Sequence, residues 1–382
     1  MYIDSSYVKN AIQQTPSFAT MKIWQNPDDM VGALYTVGSI ITLLALLGAP
    51  RILRRFGNYR WTLGALLLLM LTLVGLALFN SAWLIIPLFM LETAVISILY
   101  FNFDVFLERY SKNSETGMIR GVFKALTSIA WLLPPFIAGY ILDHYGFTLI
   151  YLTGAILIVP TIFIMMRYLS DFKDMHYDQA PAILAPNAFK IHPDISRIYW
   201  VNFFLQFFYA WMIIYAPIYF HDVLLIPYQD FGIILSIALT AFVIFPTFEG
   251  WLADKVLGEK EMLLVGFFLM GITSLAIPSL SVSLVGSSMA LWWWGALLFV
   301  GRIGAATVET MSEVYFFKKI SGHDASLVGF FRRARPLAFI IAPLLASFLL
   351  GSHIISFGQL FYVLGFVMLI ALYFPLRLKD TK

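Results

Sequence analysis

The chain contains no cysteine. A disulfide scaffold, a thiolate nucleophile and a cysteine-ligated metal site are therefore excluded. Charge is scarce as well. Only 12% of the 382 residues are Asp, Glu, Lys or Arg, while 60% are hydrophobic; a soluble domain carries roughly 25% and 45–50%. A water-soluble fold must still cover itself with polar groups, and this composition cannot do so. The phosphate-binding P-loop, His-Glu-x-x-His and Gly-x-Ser-x-Gly are also missing, which argues against an ATP-driven pump, a zinc hydrolase or a serine hydrolase. His144, His176, His192, His221, His323 and His353 are scattered over loops, span edges and a linker. No metal, cofactor or enzymatic activity is expected from them.

Long apolar runs fill the chain instead. A membrane-spanning helix needs about 20 mostly apolar residues, and eleven runs qualify: 31–49, 61–79, 83–107, 121–142, 147–169, 198–220, 231–251, 261–280, 289–316, 326–350 and 357–376. They are too long and too unbroken for the alternating strands of a membrane β-barrel. The expected fold class is all-α, a polytopic helical membrane protein.

The net charge of +3 is small, but its placement is informative. Cytoplasmic loops retain Lys and Arg. One set of alternate loops holds Arg51, Arg54, Arg55, Arg60, Arg109, Lys112, Arg120, Arg167, Lys173, Lys190, Arg197, Lys255, Lys260, Lys318 and Lys319, and the tail adds Arg377, Lys379 and Lys382. The opposite set holds only Lys9 and Lys22. The asymmetry predicts an external N-terminus and a cytoplasmic C-terminus in a plasma or inner membrane. Basic clusters that obey topology need no nucleic acid. Residues 1–30 are polar and do not read as a secretory signal peptide.

Two stretches resemble each other. FDVFLERYSKNSETGMIRGVFKALTSIAWLLPP and SEVYFFKKISGHDASLVGFFRRARPLAFIIAP align with one single-residue gap. Asp104 then meets Glu313, Gly121 meets Gly329, Lys124 meets Arg332 and Pro135 meets Pro343. Each unit is the end of one span, a basic loop and the start of the next. Repeated halves with a midplane site are common among secondary transporters. The polar stretch 170–197, with three prolines, reads as the linker between the halves.

The loop GWLADKVLGEK resembles the loop signature of the major facilitator superfamily. Gly250, Asp254, Lys255, Gly258 and Lys260 fit if one extra residue precedes Gly258. PRILRRFGNYR in the first half is a degraded copy, with Arg54 in the acidic position. The resemblance covers about residues 31–376 and implies two helical bundles. In that family the signature joins spans two and three, whereas one span precedes it here. The chain is thus expected to lack the first family span. Residues 1–30 would form an external segment, 31–169 an incomplete bundle of about five spans, 170–197 the cytoplasmic linker, 198–376 a six-helix bundle and 377–382 a cytoplasmic tail. An upstream segment beyond Met1 is the expected explanation.

Ionisable residues within a bilayer are costly and usually face a cavity or each other. Arg302, Glu309 and Glu313 lie within about 40° on one helix face. Arg302 is read as an anion partner on the solute pathway, with Ala305 and Ala306 leaving room beside it. Glu92, halfway along 83–107, is a candidate for reversible protonation. Asn202, Gln206 and Tyr209 form a polar stripe on an aromatic helix. The competing reading for these groups is structural: interhelical hydrogen bonds, or a gate with Arg332, Arg333 or Arg335. Gly250, Asp254, Lys255, Gly258, Asp104, Glu313, Lys124 and Arg332 are the expected gate and latch residues. Trp292, Trp293 and Trp294 suit an interfacial belt.

These features point to a monomeric secondary transporter in the lipid bilayer, moving a small solute by alternating access, with protons as the candidate coupling ion. A lipid flippase or scramblase, or a sensor that keeps the fold without transporting, remain alternatives at this stage.

Overall fold

Lipid offers the backbone no hydrogen-bond partners, so the apolar runs must close their own bonds as helices. Glycine and proline then decide where each run breaks. The computed structural model describes residues 4–15, 27–110, 116–172, 193–284, 289–319 and 331–379, and every regular element among them is helical. In order these are α1 (Asp4–Gln14), α2 (Pro27–Phe56), α3 (Asn58–Leu78), α4 (Ala82–Tyr110), α5 (Thr116–Tyr168), α6 (Pro193–Ile218), α7 (Tyr228–Leu239), α8 (Ala241–Leu252), α9 (Glu259–Leu284), α10 (Ala290–Lys319), α11 (Ala334–Gly351), α12 (Gln359–Ala371) and the short α13 (Tyr373–Leu376).

Among the described residues, ten segments are long and apolar enough to cross a membrane. One of them, Leu126–Tyr168, has 43 residues, about twice what a bilayer needs. It is broken at Gly146 (φ 75°, ψ −176°), a conformation open to glycine and costly for other residues. Read as two arms, it brings the count to the eleven expected. Leu71, Ile156, Phe163 and Phe348 project outward, as lipid-facing side chains do.

The turns carry the internal repeat. Gly57 (φ 75°, ψ 159°) opens α3 and Gly258 (φ 97°, ψ 159°) opens α9, with nearly the same backbone. Gly146 (φ 75°) comes eleven residues after Pro135 and His353 (φ 53°) ten after Pro343, so both repeats turn with a positive φ beyond the aligned proline. One difference is local. The Gly57 N–H bonds Leu53 O at 2.8 Å, four residues back, whereas the Gly258 N–H bonds Ala253 O at 3.0 Å, five back. Residues Ala253–Leu257 form a single π turn, which holds one residue more than an α turn. This is where the extra residue before Gly258 goes.

The chain divides into two compact units. The first takes Ile3–Thr127 and Ile141–Ala180, the second Ser128–Tyr140 and Pro181–Lys382. In unit 1, α4 packs against both α2 and α3. The segment 1–30, expected as an external loop, contains a helix instead. α1 is buried along most of its length and packs on α2 and α4. Tyr7 donates to Leu76 O at 2.5 Å and to Phe79 O at 3.1 Å, and Thr15 Oγ1 accepts from the Ala82 N–H at 3.0 Å. The sequence hides α1 because Asp4, Tyr7 and the adjoining Thr15 find hydrogen bonds in the bundle rather than in water. With 11 residues it extends about 16 Å, roughly half a bilayer core. No described helix before residue 27 is therefore a full span.

Burial pushes the Tyr7 hydroxyl up from 10.0 to about 12. A raised acid keeps its proton in the folded state after the unfolded chain has lost it, so stability falls as pH rises from about 10 to 12 and is unaffected below. Tyr7→Phe should flatten that part of an alkaline melting curve. An unchanged difference curve would show that Tyr7 titrates normally.

In unit 2, α9 and α10 pair closely. A Cβ on Gly304 would lie 2.6 Å from Gly266 O, and one on Gly266 would lie 2.8 Å from Gly304 O, so the two backbones touch. Residues 128–140, expected in the first bundle, belong with unit 2 because Gly139 and Gly232 bring their backbone against α7. A Cβ at either glycine would collide with Tyr228 O or Pro135 O, and Ser236 Oγ donates to Leu132 O at 2.9 Å. α6 starts at Pro193, five residues before the expected start, with Asp194 in its first turn, where the helix dipole favours a carboxylate. The expected linker, 170–197, lies mostly outside the described residues. Trp292 and Trp293 are exposed as a belt requires, but Trp294 is buried, edge-on to Phe220 at 4.9 Å.

Candidate functional site

α6 and α10 bring the polar stripe of one to the charged stripe of the other. Arg302 and Glu309 are seven residues apart on α10, so they share a face about 10 Å apart along the axis. Tyr209 of α6 stands between them. Its hydroxyl donates to Glu309 Oε2 at 2.8 Å, and its ring centroid lies 6.0 Å from Arg302 Cζ. The ring of Phe208 lies 5.6 Å from the same carbon. Arg302 is 7% exposed. Among the described residues it makes no ion pair, so these aromatic faces are its electrostatic support, a contribution of about 0.5–2 kcal/mol.

The rest of the α6 stripe is mainly braced within the bundle. Asn202 Nδ2 donates to Phe331 O at 3.1 Å and Gln206 Nε2 to Asn202 Oδ1 at 3.4 Å. The Gln206 amide oxygen, Oε1, is buried without a hydrogen-bond partner. Ala305 and Ala306 do not leave room beside Arg302. Both are fully buried, because the glycine contact draws this part of α10 onto α9. Glu313 and Arg332 are exposed. Gly258 is placed as the turn described above. The side chains of Asp254, Lys255, Asp104 and Lys124, and the surroundings of Gly250, lie outside the described residues.

A second carboxyl group lies deep in unit 2. Glu249 of α8 is 2% exposed and accepts a hydrogen bond from Thr307 of α10. At one end of the unit, Asp194 pairs with Arg197 at 2.7 Å and lies 4.0 Å from Lys319. Glu259 pairs there with Lys318, and Tyr315 donates to Lys379 O at 2.9 Å. These bonds tie the starts of α6 and α9 to the end of α10 and to the last described residues.

Unit 1 holds its own buried acid. Glu92 of α4 is 4% exposed, and its Oε2 has no hydrogen-bond partner. It lies in the field of Asp4, itself buried on α1, where Tyr151 donates to Asp4 Oδ1 at 3.1 Å. Tyr7 packs against Tyr151 at 4.8 Å and Phe147 at 4.9 Å. Glu92 belongs to unit 1 and Arg302 to unit 2.

Asp4, Tyr151, Phe208 and Glu249 do not stand out in the sequence as Arg302 does. Glu249 had a usable signal, a carboxyl in the last turn of an apolar span. Asp4 had none, being an acid in a polar segment.

A family model described as Major Facilitator Superfamily matches residues 12–333. No curated protein matches the chain. Among solved structures, the fold is similar to an auto-inhibited POT family peptide transporter, with TM-score 0.74, 13% identity, and coverage of 100% of this chain and 96% of that one. It is also similar to a bacterial homologue of the iron transporter ferroportin in an inward-facing state, with TM-score 0.67, 13% identity and coverage of 98% and 96%. At that identity the likeness concerns the fold alone. The buried charge on α10, the repeated turns and the family match agree, and this chain belongs to the Major Facilitator Superfamily.

Proposed function

We propose that this membrane protein is a secondary transporter that moves a small solute by alternating access, driven by a proton gradient. The observation that carries the reading is the Arg302–Tyr209–Glu309 constellation, in which Arg302 is buried and the other two are half-buried. A guanidinium and a carboxylate held inside a bundle are costly in lipid unless they serve a hydrated pathway. Glu309 and Glu92 are the proton carriers of choice, each being a buried or half-buried carboxyl group on a different unit.

The absence of cysteine makes a direct test practical. Spin-label pairs at positions 78 and 354, and at 60 and 256, should each give two distance populations that shift in opposite directions between acidic and neutral pH. A single fixed distance in both pairs would overturn the reading. Proton coupling has its own test in proteoliposomes. Glu309→Gln should retain solute exchange and lose uphill accumulation under a pH gradient; unchanged accumulation would remove Glu309 from the coupling step.

The loop charges support an external N-terminus and a cytoplasmic C-terminus. Reporters fused at Asn80 and at Asp178 should then report opposite compartments, and agreement between them would refute the map.

A further inference from the structure

We propose that the transported solute carries an oxyanion, a carboxylate or a phosphoryl group, and that Arg302 is the residue that takes it. This deepens the transporter reading and rests on it. Arg302 is 7% exposed, yet no described carboxylate pairs with it. Glu309, on the same face, gives Oε2 to the Tyr209 hydroxyl at 2.8 Å. Phe208 and Tyr209 meet the guanidinium at 5.6 and 6.0 Å. Aromatic faces stabilise a cation but supply no lone pairs, and a guanidinium has five N–H donors in a rigid fork.

The fork matches two oxygens on one centre, the geometry of a carboxylate or phosphate group. A neutral solute would leave the charge uncompensated at each turnover, and a cation would be repelled. The rings add a flat apolar wall beside the charge, which suits an anion attached to an organic body. Thr307, the next polar group towards Glu309, is engaged by Glu249, so Arg302 is the group on this stretch of α10 that can anchor an oxyanion.

The test uses the full chain in nanodiscs and three probe pools at equal ionic strength. The first contains small carboxylates (succinate, lactate, glutamate, benzoate). The second contains phosphate monoesters (glycerol phosphate, glucose phosphate, phenyl phosphate). The third contains neutral counterparts (succinamide, glycerol, glucose, benzamide). One anionic pool should raise the melting temperature by several degrees, and the active pool identifies the oxyanion. Repeating the measurement in discs with and without phosphatidic acid separates a soluble anion from a lipid headgroup.

Arg302→Gln should weaken the apparent affinity by about 10–100-fold, and Arg302→Lys by less. A largest shift from the neutral pool, no shift from either anionic pool, or an equal shift in Arg302→Gln would each overturn the proposal. If the spin-label distances still alternate in that case, the transporter reading stands and only the anion is lost.

Discussion

Gly304→Val should remove most folded protein from the membrane. A Cβ at this position would sit 2.6 Å from Gly266 O, 3.0 Å from Leu269 Cβ and 3.1 Å from Met270 Cγ. The first of these is backbone and cannot swing aside, so α9 and α10 must separate. Lipid tails are as apolar as the helix surfaces, so helix association in a membrane depends on close packing more than on expulsion of water. Overpacking a well-filled contact costs about 1–3 kcal/mol, occasionally more, against a total of roughly 5–15 kcal/mol. Valine also adds two methyl groups to the clash. Fluorescence-detected size exclusion should show a several-fold smaller monodisperse peak, with a melting point at least about 4 °C lower. Gly64 is the control, since a Cβ there meets nothing within 4 Å. Gly64→Ala should be neutral or slightly stabilising, because alanine is the better helix former. A Gly304→Val variant as stable as that control would mean that the α9–α10 contact is looser than described.

Arg302→Ala should have the opposite profile, with a normal folded yield and uptake at the level of empty liposomes. The side chain reaches aromatic rings, not another helix's charge, so its loss breaks no described ion pair. Alanine keeps α10 helical. For transport the loss is large. Truncating one partner of a buried charged pair costs about 2–5 kcal/mol, which corresponds to roughly 30-fold to several thousand-fold in affinity. Arg302→Lys should recover part of the rate, because an ammonium keeps the charge and loses the planar fork. Uptake of the stabilising probe into proteoliposomes, normalised to folded protein, reads the result. Normal uptake in the alanine variant would exclude Arg302 from the pathway.

The sequence shows the spans, their number and the repeat plainly, because lipid imposes a 20-residue apolar rule that few other environments impose. Gly57 and Gly258 could be aligned before their torsions were known. The single extra residue before Gly258 was legible as an alignment gap, though not as a wider turn. α1 was not legible. Its burial depends on Tyr7, Thr15 and Asp4 finding partners in distant helices, and no local pattern encodes those partners. Arg302 and Glu309 share a face by helical arithmetic. That Tyr209 would stand between them, with Phe208 against the guanidinium, required the packing of α6 on α10. Ala305 and Ala306 looked like open space because small residues fit both a cavity wall and a tight crossing. Gly266, a full helix away in sequence, decides between the two.

The turn from Ala253 to Leu257 has a geometric consequence for the second half. An additional residue in a helix advances its winding by about 100° and lengthens it by about 1.5 Å. Spread through α8, that offset would rotate Glu249 away from Thr307 and turn buried side chains towards lipid. Confining it to one wide turn next to Gly258 leaves both flanking helices in phase with their counterparts in the first half. The two halves can therefore differ in length by one residue at this corner and still be built on the same frame.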